Sequence, residues 1–398
     1  MNHTNRIESL DALRGISSLI VVIFHCLLSF NIFYYANYHL EFSNTFVEIL
    51  TISPLHTFWA GNEAVLLFFV LSGFVLTIPF MGDRPPIYHV YIVRRFFRIY
   101  MPYIVVMILS VVLVTLFAGV KDVDGLSSTY ENRWDHAVSL KAIVAYFLML
   151  DTDTANVNGV VWSLFHEMRI SIVFPLFLVI ILKYRFIKAL LISLCLNLAF
   201  YLALHLASTM LGDNSITGIM GGFKDSVYYC TFFIFGAFLS KYRENLSSLK
   251  TMSNIKKLGL ICLALILINC RWIYPVFNVQ NKILQDFVSV LGILLLFVFI
   301  LTSGTTSKFL TKKPLLWLGK VSYSLYLIHI PVMMLTTIFL GKIMPIEIAF
   351  IFVPILSLPV AHFTHKYIEV PSNALGKKAV SIMHSSVFSK KVVAETKR

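Results

Sequence analysis

Asp11-Ala12-Leu13-Arg14-Gly15-Ile16-Ser17-Ser18-Leu19-Ile20-Val21-Val22-Ile23-Phe24-His25 is the stretch whose reading decides the fold. It opens an apolar run, yet it carries an arginine at the mouth and a histidine midway. At about 100° per residue, the eleven steps from Arg14 to His25 return to within roughly 20° of the start, so a helix puts both on one face. The rise between them is about 16.5 Å, roughly half a bilayer core. One helix face would then link a membrane edge to a proton-handling group near the midplane.

The rest of the chain supports a membrane setting. Its 398 residues are 58% hydrophobic and 13% charged, with a mean hydropathy of +0.80. A soluble protein carries about a quarter charged residues. Apolar runs long enough to span lie at 13–33, 58–80, 99–119, 161–182, 187–206, 223–240, 257–274, 283–303, 315–340 and 345–366. The run at 142–150 is too short to cross, since a span needs about 17 residues, and reads as re-entrant or interfacial. The expected fold is all-α: a polytopic membrane bundle of about ten transmembrane helices with that one extra segment. Residues 1–370 form the transmembrane domain and 371–398 a short basic cytoplasmic tail. No internal repeat, soluble domain or cleavable signal peptide is apparent.

The net charge of +13 is read as orientation rather than as a nucleic-acid surface. With the N-terminus inside, the 33 Lys and Arg gather on the inner side, the exceptions being Lys121, Arg133, Lys141, Arg169, Lys224, Arg271, Lys282 and Lys342. The long outer loop at 120–160 is acidic, through Asp122, Asp124, Glu131, Asp135, Asp151 and Asp153. Ten spans place both termini in the cytoplasm. Membrane lipids are the expected surroundings. Cys26, Cys195, Cys230, Cys262 and Cys270 all sit in apolar segments without ligand spacing, so neither a metal site nor disulfides are expected.

Ionisable groups within a membrane are costly and mark function by default. His25, Glu63, Glu167 and His329 all fall between the midplane and the outer surface, so depth allows one chamber lined by all four. His25 reads as a proton acceptor; the plainer reading is a packing histidine bonded to a carbonyl. Glu167 would orient a histidine or take a proton, unless it is spent on an ion pair between helices. Glu167 and Arg169, two apart, do not face each other. Arg95 and Arg98 open the third span. At a helix N-terminus, on one face, two guanidiniums suit phosphate; the plainer reading is a positive-inside cluster. Tyr326 and His329 share a face ahead of Pro331, which would kink the helix. Trp162 reads as an interfacial belt residue. Ser72 and Gly73 read as a close helix contact.

Together these residues resemble the acyltransferase-3 family of integral membrane acyltransferases. The matching pieces are Leu10-Asp11-x-Leu13-Arg14-Gly15 with His25, the run Phe68 to Phe74, Arg95-x-x-Arg98, Trp162-Ser163-Leu164-x-x-Glu167, and Ser322-Tyr323-Ser324-x-Tyr326-Leu327-x-His329-x-Pro331. They stand in family order. The resemblance implies transfer of an acyl group, with acetyl the expected one, from cytoplasmic acyl-CoA to a hydroxyl of an extracytoplasmic glycan. Acceptors of this kind include lipopolysaccharide O-antigen, exopolysaccharide and peptidoglycan. It implies a bacterial inner membrane and no permanently bound cofactor. Many relatives carry a fused SGNH hydrolase-like domain. None is read here, so a second step outside is expected in the membrane domain or in a partner.

On that reading His25 and Glu167 are catalytic, and Arg14, Arg95 and Arg98 hold the acyl-CoA. Asp11, Glu63, Trp162, Ser163, His166, Tyr326 and His329 support them or face substrate. The pantetheine arm would run from Arg14 to His25. His25 would either deprotonate the acceptor hydroxyl or carry the acyl group covalently. A transporter or flippase is the competing class, because polar midplane residues also mark carriers.

Overall fold

The computed structural model describes residues 7–120, 125–150, 154–211, 215–273 and 281–395. Asp122, Asp124, Asp151 and Asp153 of the expected acidic loop lie outside the described residues, as do 396–398 of the expected tail. Among the described residues the structure is helical, with one isolated bridge between Phe30 and Leu126. The long helices are α1 (Glu8–Leu28), α2 (Gly61–Thr77), α3 (Tyr88–Phe117), α4 (Trp162–Lys183), α5 (Phe186–Leu211), α6 (Ser215–Lys241), α7 (Asn254–Ile268), α8 (Lys282–Thr302), α9 (Lys313–Leu340), α10 (Ile346–Thr364) and α11 (Val370–Glu395).

Among the described residues, eight segments are long and apolar enough to cross a membrane. They are α1, α2 with its extension to Met81, α3, α4, α5, α8, α9, and α10 running on to Met383. The protein is thus a multi-pass membrane protein. The other two expected spans lie in α6 and in α7, the latter only 15 residues long. The outward faces are apolar. On α3, Val105, Ile108, Leu109, Val112 and Leu116 are exposed while Ile104, Met107 and Val114 are buried, the one-sided pattern of a helix against lipid. The segment at 142–150 is the short helix Leu140–Phe147, with Leu140, Val144 and Phe147 exposed and Ala145 and Tyr146 buried. It docks on α3, where Tyr103 and Tyr100 donate hydrogen bonds to the carbonyls of Tyr146 and Phe147.

Glycine sets the closest helix contacts. A Cβ on Gly15 would strike the backbone of Leu318 and Gly319, and one on Gly319 would strike the backbone of Asp11. α1 and α9 therefore meet backbone to backbone and run parallel, Asp11 beside Gly319 and His25 beside His329. Gly73 of α2 and Gly236 of α6 pack in the same way, Gly73 on Phe233 and Gly236 on Val70. This is the close contact expected around Ser72 and Gly73.

The arginine-bearing span departs from expectation. Arg95 and Arg98 do not sit at a helix N-terminus, because the helix begins at Tyr88, about two to three turns earlier. Arg95 precedes, and Arg98 lies within, a wide π turn at Phe96–Tyr100, closed by the Met101 N–H on the Phe96 carbonyl. Pro102 follows at once; it has no N–H to continue the i to i−4 ladder. The same device recurs at His365–Glu369, with Pro371 behind it. The helix that follows the second π turn meets the first, since Ser372 donates to the Phe97 carbonyl. Beyond Pro371 the expected tail continues as helix α11, packed through Gly376 on Phe97.

Replacing Gly15 or Gly319 by valine is expected to destabilise the protein by about 1–3 kcal/mol or more through overpacking. Gly218→Ala, which meets nothing within 4 Å, should be neutral. Thermal unfolding in detergent checks both.

Candidate active site

Two polar groups lie at opposite ends of the α1–α9 pair. At the first, Arg14 pairs with Asp11 at 3.6 Å. Arg95 reaches across to α4, donating to Ser171 Oγ at 2.9 and 3.2 Å and to Glu167 Oε1 at 3.2 Å. Ser72 Oγ donates to the same carboxylate oxygen at 3.1 Å. The π turn sends Arg98 elsewhere. It is exposed and, among the described residues, has no hydrogen-bond or ion-pair partner. Its charge nevertheless interacts with Arg14, Arg95, Glu167 and Glu369, from four different segments. The Arg98 guanidinium is thus exposed and within electrostatic reach of all four. Glu369 is itself held by Ser324 at 2.8 Å and His365 at 2.9 Å.

At the other end, the His25 and His329 rings stand 5.3 Å apart and 32° from parallel. Tyr326 lies edge-on to His329 at 5.9 Å, and its hydroxyl bonds Ser163 Oγ at 2.7 Å. His25 Nδ1 meets Arg133 Nη2 at 3.1 Å. A guanidinium only donates, so this nitrogen accepts, and neutral His25 carries its proton on Nε2. His329 Nδ1 lies 3.2 Å from the Leu325 carbonyl, which only accepts. Neutral His329 therefore carries its proton on Nδ1, leaving Nε2 as a bare lone pair. That Nε2 is buried and has no partner.

Arg133 comes from the connection between α3 and α4 and is only 4% exposed. The connection is pinned over the bundle. Ser127 donates to the Leu28 carbonyl, Tyr130 bonds Thr337, and Asn158 donates to the Leu327 carbonyl. Trp134 next door is fully buried in the left-handed region at φ 51°, costly for an aromatic residue. Its N–H and indole hold it there by donating to the carbonyls of Asn156 and Val157. Burial brings Arg133 down to about 10, which leaves it cationic at neutral pH. Its Nη1 is buried without a partner.

The structure therefore divides the four residues expected in one chamber. His25 and His329 meet. Glu167 does not orient His25; it is bound to Arg95 and Ser72, because the π turn and the α2–α4 contact bring those donors to it first. Glu63 belongs to a third group, 3.6 Å from His56 and 3.8 Å from Arg271, with Gln285 donating at 3.4 Å. His56 lies outside the spans; burial, and then the Arg271 cation, hold it below the usual imidazole range. Arg271 also donates to the Asn37 carbonyl at 2.7 Å. Tyr38 feels the charges of both Arg271 and Arg133, so the last two groups are neighbours. Trp162 stacks edge-on against His166, whose Nδ1 bonds Ser226 at 2.8 Å. Arg169, which could not face Glu167, donates to the carbonyls of Gly222 and Met149. Sequence reasoning passed over Arg133, His56 and Arg271. The only signal for the two arginines was their place outside the positive-inside pattern.

A helical membrane protein with a guanidinium cluster at one end of a helix pair and an imidazole pair towards the other fits a two-substrate enzyme spanning its membrane. The chain belongs to the acyltransferase-3 family: the family pattern described as an acyltransferase domain matches residues 7–364. It is similar to the peptidoglycan O-acetyltransferase OatA of Listeria monocytogenes, 25% identical over 399 residues, covering 92% of this chain and 55% of the relative. It is also similar to the putative peptidoglycan O-acetyltransferase YrhL of Bacillus subtilis, 28% identical over 410 residues, covering 95% of this chain and 57% of the relative. The chain thus spans little more than half the length of these curated relatives. No solved structure matches.

Arg95→Ala leaves the Glu167 carboxylate without its cation and should cost about 3–5 kcal/mol, the usual effect of removing one partner of a buried pair. Arg98→Ala removes an unpaired group and should leave the melting temperature unchanged. Parallel thermal unfolding of the two variants checks the contrast.

Proposed function

We propose that this protein transfers an acyl group, acetyl first, from cytoplasmic acyl-CoA to a hydroxyl of an extracytoplasmic glycan. The observation that carries this reading is the parallel α1–α9 contact, which sets Arg14 and His25 on one helix and His329 beside His25. Arg98 and Arg14 receive the charged nucleotide part of acyl-CoA, with Arg98 free to do so and Arg95 occupied by Glu167. The pantetheine arm runs along the face of α1 and delivers the thioester to the His25–His329 pair. The length of α1 between Arg14 and His25, about 16.5 Å, suits that arm.

The acceptor enters from the opposite side. Peptidoglycan is the first choice, because both similar proteins are named for it; the wider class is a surface glycan. The protein lies in a bacterial inner membrane with the Arg14 end and both termini on the cytoplasmic side and 371–398 as a basic cytoplasmic extension, an orientation that the distribution of Lys and Arg supports. Glu63 with Arg271, and Ser163 with Tyr326, shape the outer half of the site. Asp11 steadies Arg14.

The test uses purified protein in proteoliposomes with acetyl-CoA labelled on the acetyl group and peptidoglycan fragments as acceptor. Labelled ester and free thiol should appear together. Arg98→Ala should raise KM for acetyl-CoA about tenfold, the loss of one charge-assisted contact worth about 1.5 kcal/mol, and leave kcat nearly unchanged. Passage of acceptor across the membrane without thiol release would replace this reading with a carrier.

A further inference from the structure

Resting on that reading, we propose that His329, not His25, is the general base, and that His25 and Arg133 together hold the oxyanion. The assignment follows from what each nitrogen already does. His25 has one lone pair, on Nδ1, and Arg133 Nη2 occupies it at 3.1 Å. To act as base His25 would have to release Arg133 and become a cation beside a buried cation. His329 has no such conflict. Its Nδ1–H is spent on the Leu325 carbonyl, and its Nε2 lone pair is bare, fully buried and unpartnered. A buried lone pair left unsatisfied costs stability, and such a group is retained where a ligand completes it.

Arg133 shows the complementary vacancy. Its Nη1–H groups are buried with no acceptor among the described residues. The charge interactions traced for it run to Tyr38, Cys26 and Tyr130, none of them a carboxylate. It is carried into the bundle on a loop held in a costly backbone conformation at Trp134. An unpaired buried guanidinium and a histidine N–H beside one bare imidazole nitrogen make a site with two donors and one acceptor. A tetrahedral acyl intermediate with its attacking hydroxyl needs that complement.

The steps balance. The acceptor hydroxyl gives its proton to His329 Nε2 as its oxygen bonds the thioester carbon. The carbonyl electron pair moves onto its oxygen, which accepts hydrogen bonds from His25 Nε2–H and Arg133 Nη1–H. The pair returns, the carbon–sulfur bond breaks, and the departing thiolate takes the proton from His329. An ester and a free thiol result, and both histidines are restored. The role of Arg133 is then to stabilise developing negative charge, the effect that removal of one oxyanion donor measures at about 10²–10³ in rate.

Hydroxylamine separates the roles, since it attacks a thioester as a neutral nucleophile and needs no general base. The assay uses the full chain, acetyl-CoA, and either peptidoglycan fragments or hydroxylamine. H329Q and H329N should lose about 10²–10⁴-fold in ester formation, the usual worth of a general base, and keep hydroxamate formation near the wild-type rate. H25Q, R133M and R133K should lose both reactions together. Retained hydroxamate formation also shows that the H329 variants are folded. If folded H329Q and H329N lose both reactions in parallel, or if H25Q loses only ester formation, the assignment is overturned and His25 is the base. If the wild-type protein forms neither product from acetyl-CoA, the donor reading itself fails, and this inference falls with it.

Discussion

Gly15 and Gly319 let α1 and α9 touch backbone to backbone, and the rest of the site depends on that approach. Any side chain at either position would push the helices apart by the width of a methyl group or more. The separation would carry His25 away from His329, whose rings now stand 5.3 Å apart. Close approach through small residues is how membrane helices associate when no hydrophobic gain is available between them. Here the same contact sets an imidazole from each of two parallel helices at one level and Arg14 at another.

Buried charge explains the rest of the arrangement. Arg95 and Glu167 satisfy each other, with Ser72 and Ser171 completing the hydrogen bonds. Glu63 and Arg271 stand within ion-pair distance under a cap of His56 and Gln285. These pairs are affordable within a membrane because each charge has a partner. Arg98 and Arg133 do not follow that rule, and on the proposed reading they meet an anionic group each: nucleotide phosphate at one end and a developing oxyanion at the other. On that reading the unpaired cations, rather than the ion pairs, mark the reaction path.

Much of this was legible in the chain. The eleven-residue spacing of Arg14 and His25 describes one continuous helix, and the motif around Tyr326 and His329 places them on another. The contact at Ser72 and Gly73 was also readable from small residues in an apolar run. Arg133 was not, because it reaches the site from a connecting segment whose path depends on tertiary hydrogen bonds at Trp134 and Asn156. The divergence of Arg95 and Arg98 was hidden for a local reason. A three-residue spacing implies a shared face only in a regular α-helix, and Pro102 converts the turn before it into a π turn. Glu167 was misplaced for the same reason: its partner depends on where that turn aims Arg95.

The central claim is that one substrate spans the distance between the arginine cluster and the histidine pair. A cryo-electron microscopy map of the protein with a non-hydrolysable acetyl-CoA analogue tests it most directly. Phosphate density is expected against Arg98 and Arg14, a thin arm along α1, and the acyl carbonyl between His25, His329 and Arg133. An analogue whose acyl end remains at the Arg98 end, with the His25–His329 pair unvisited, would contradict it.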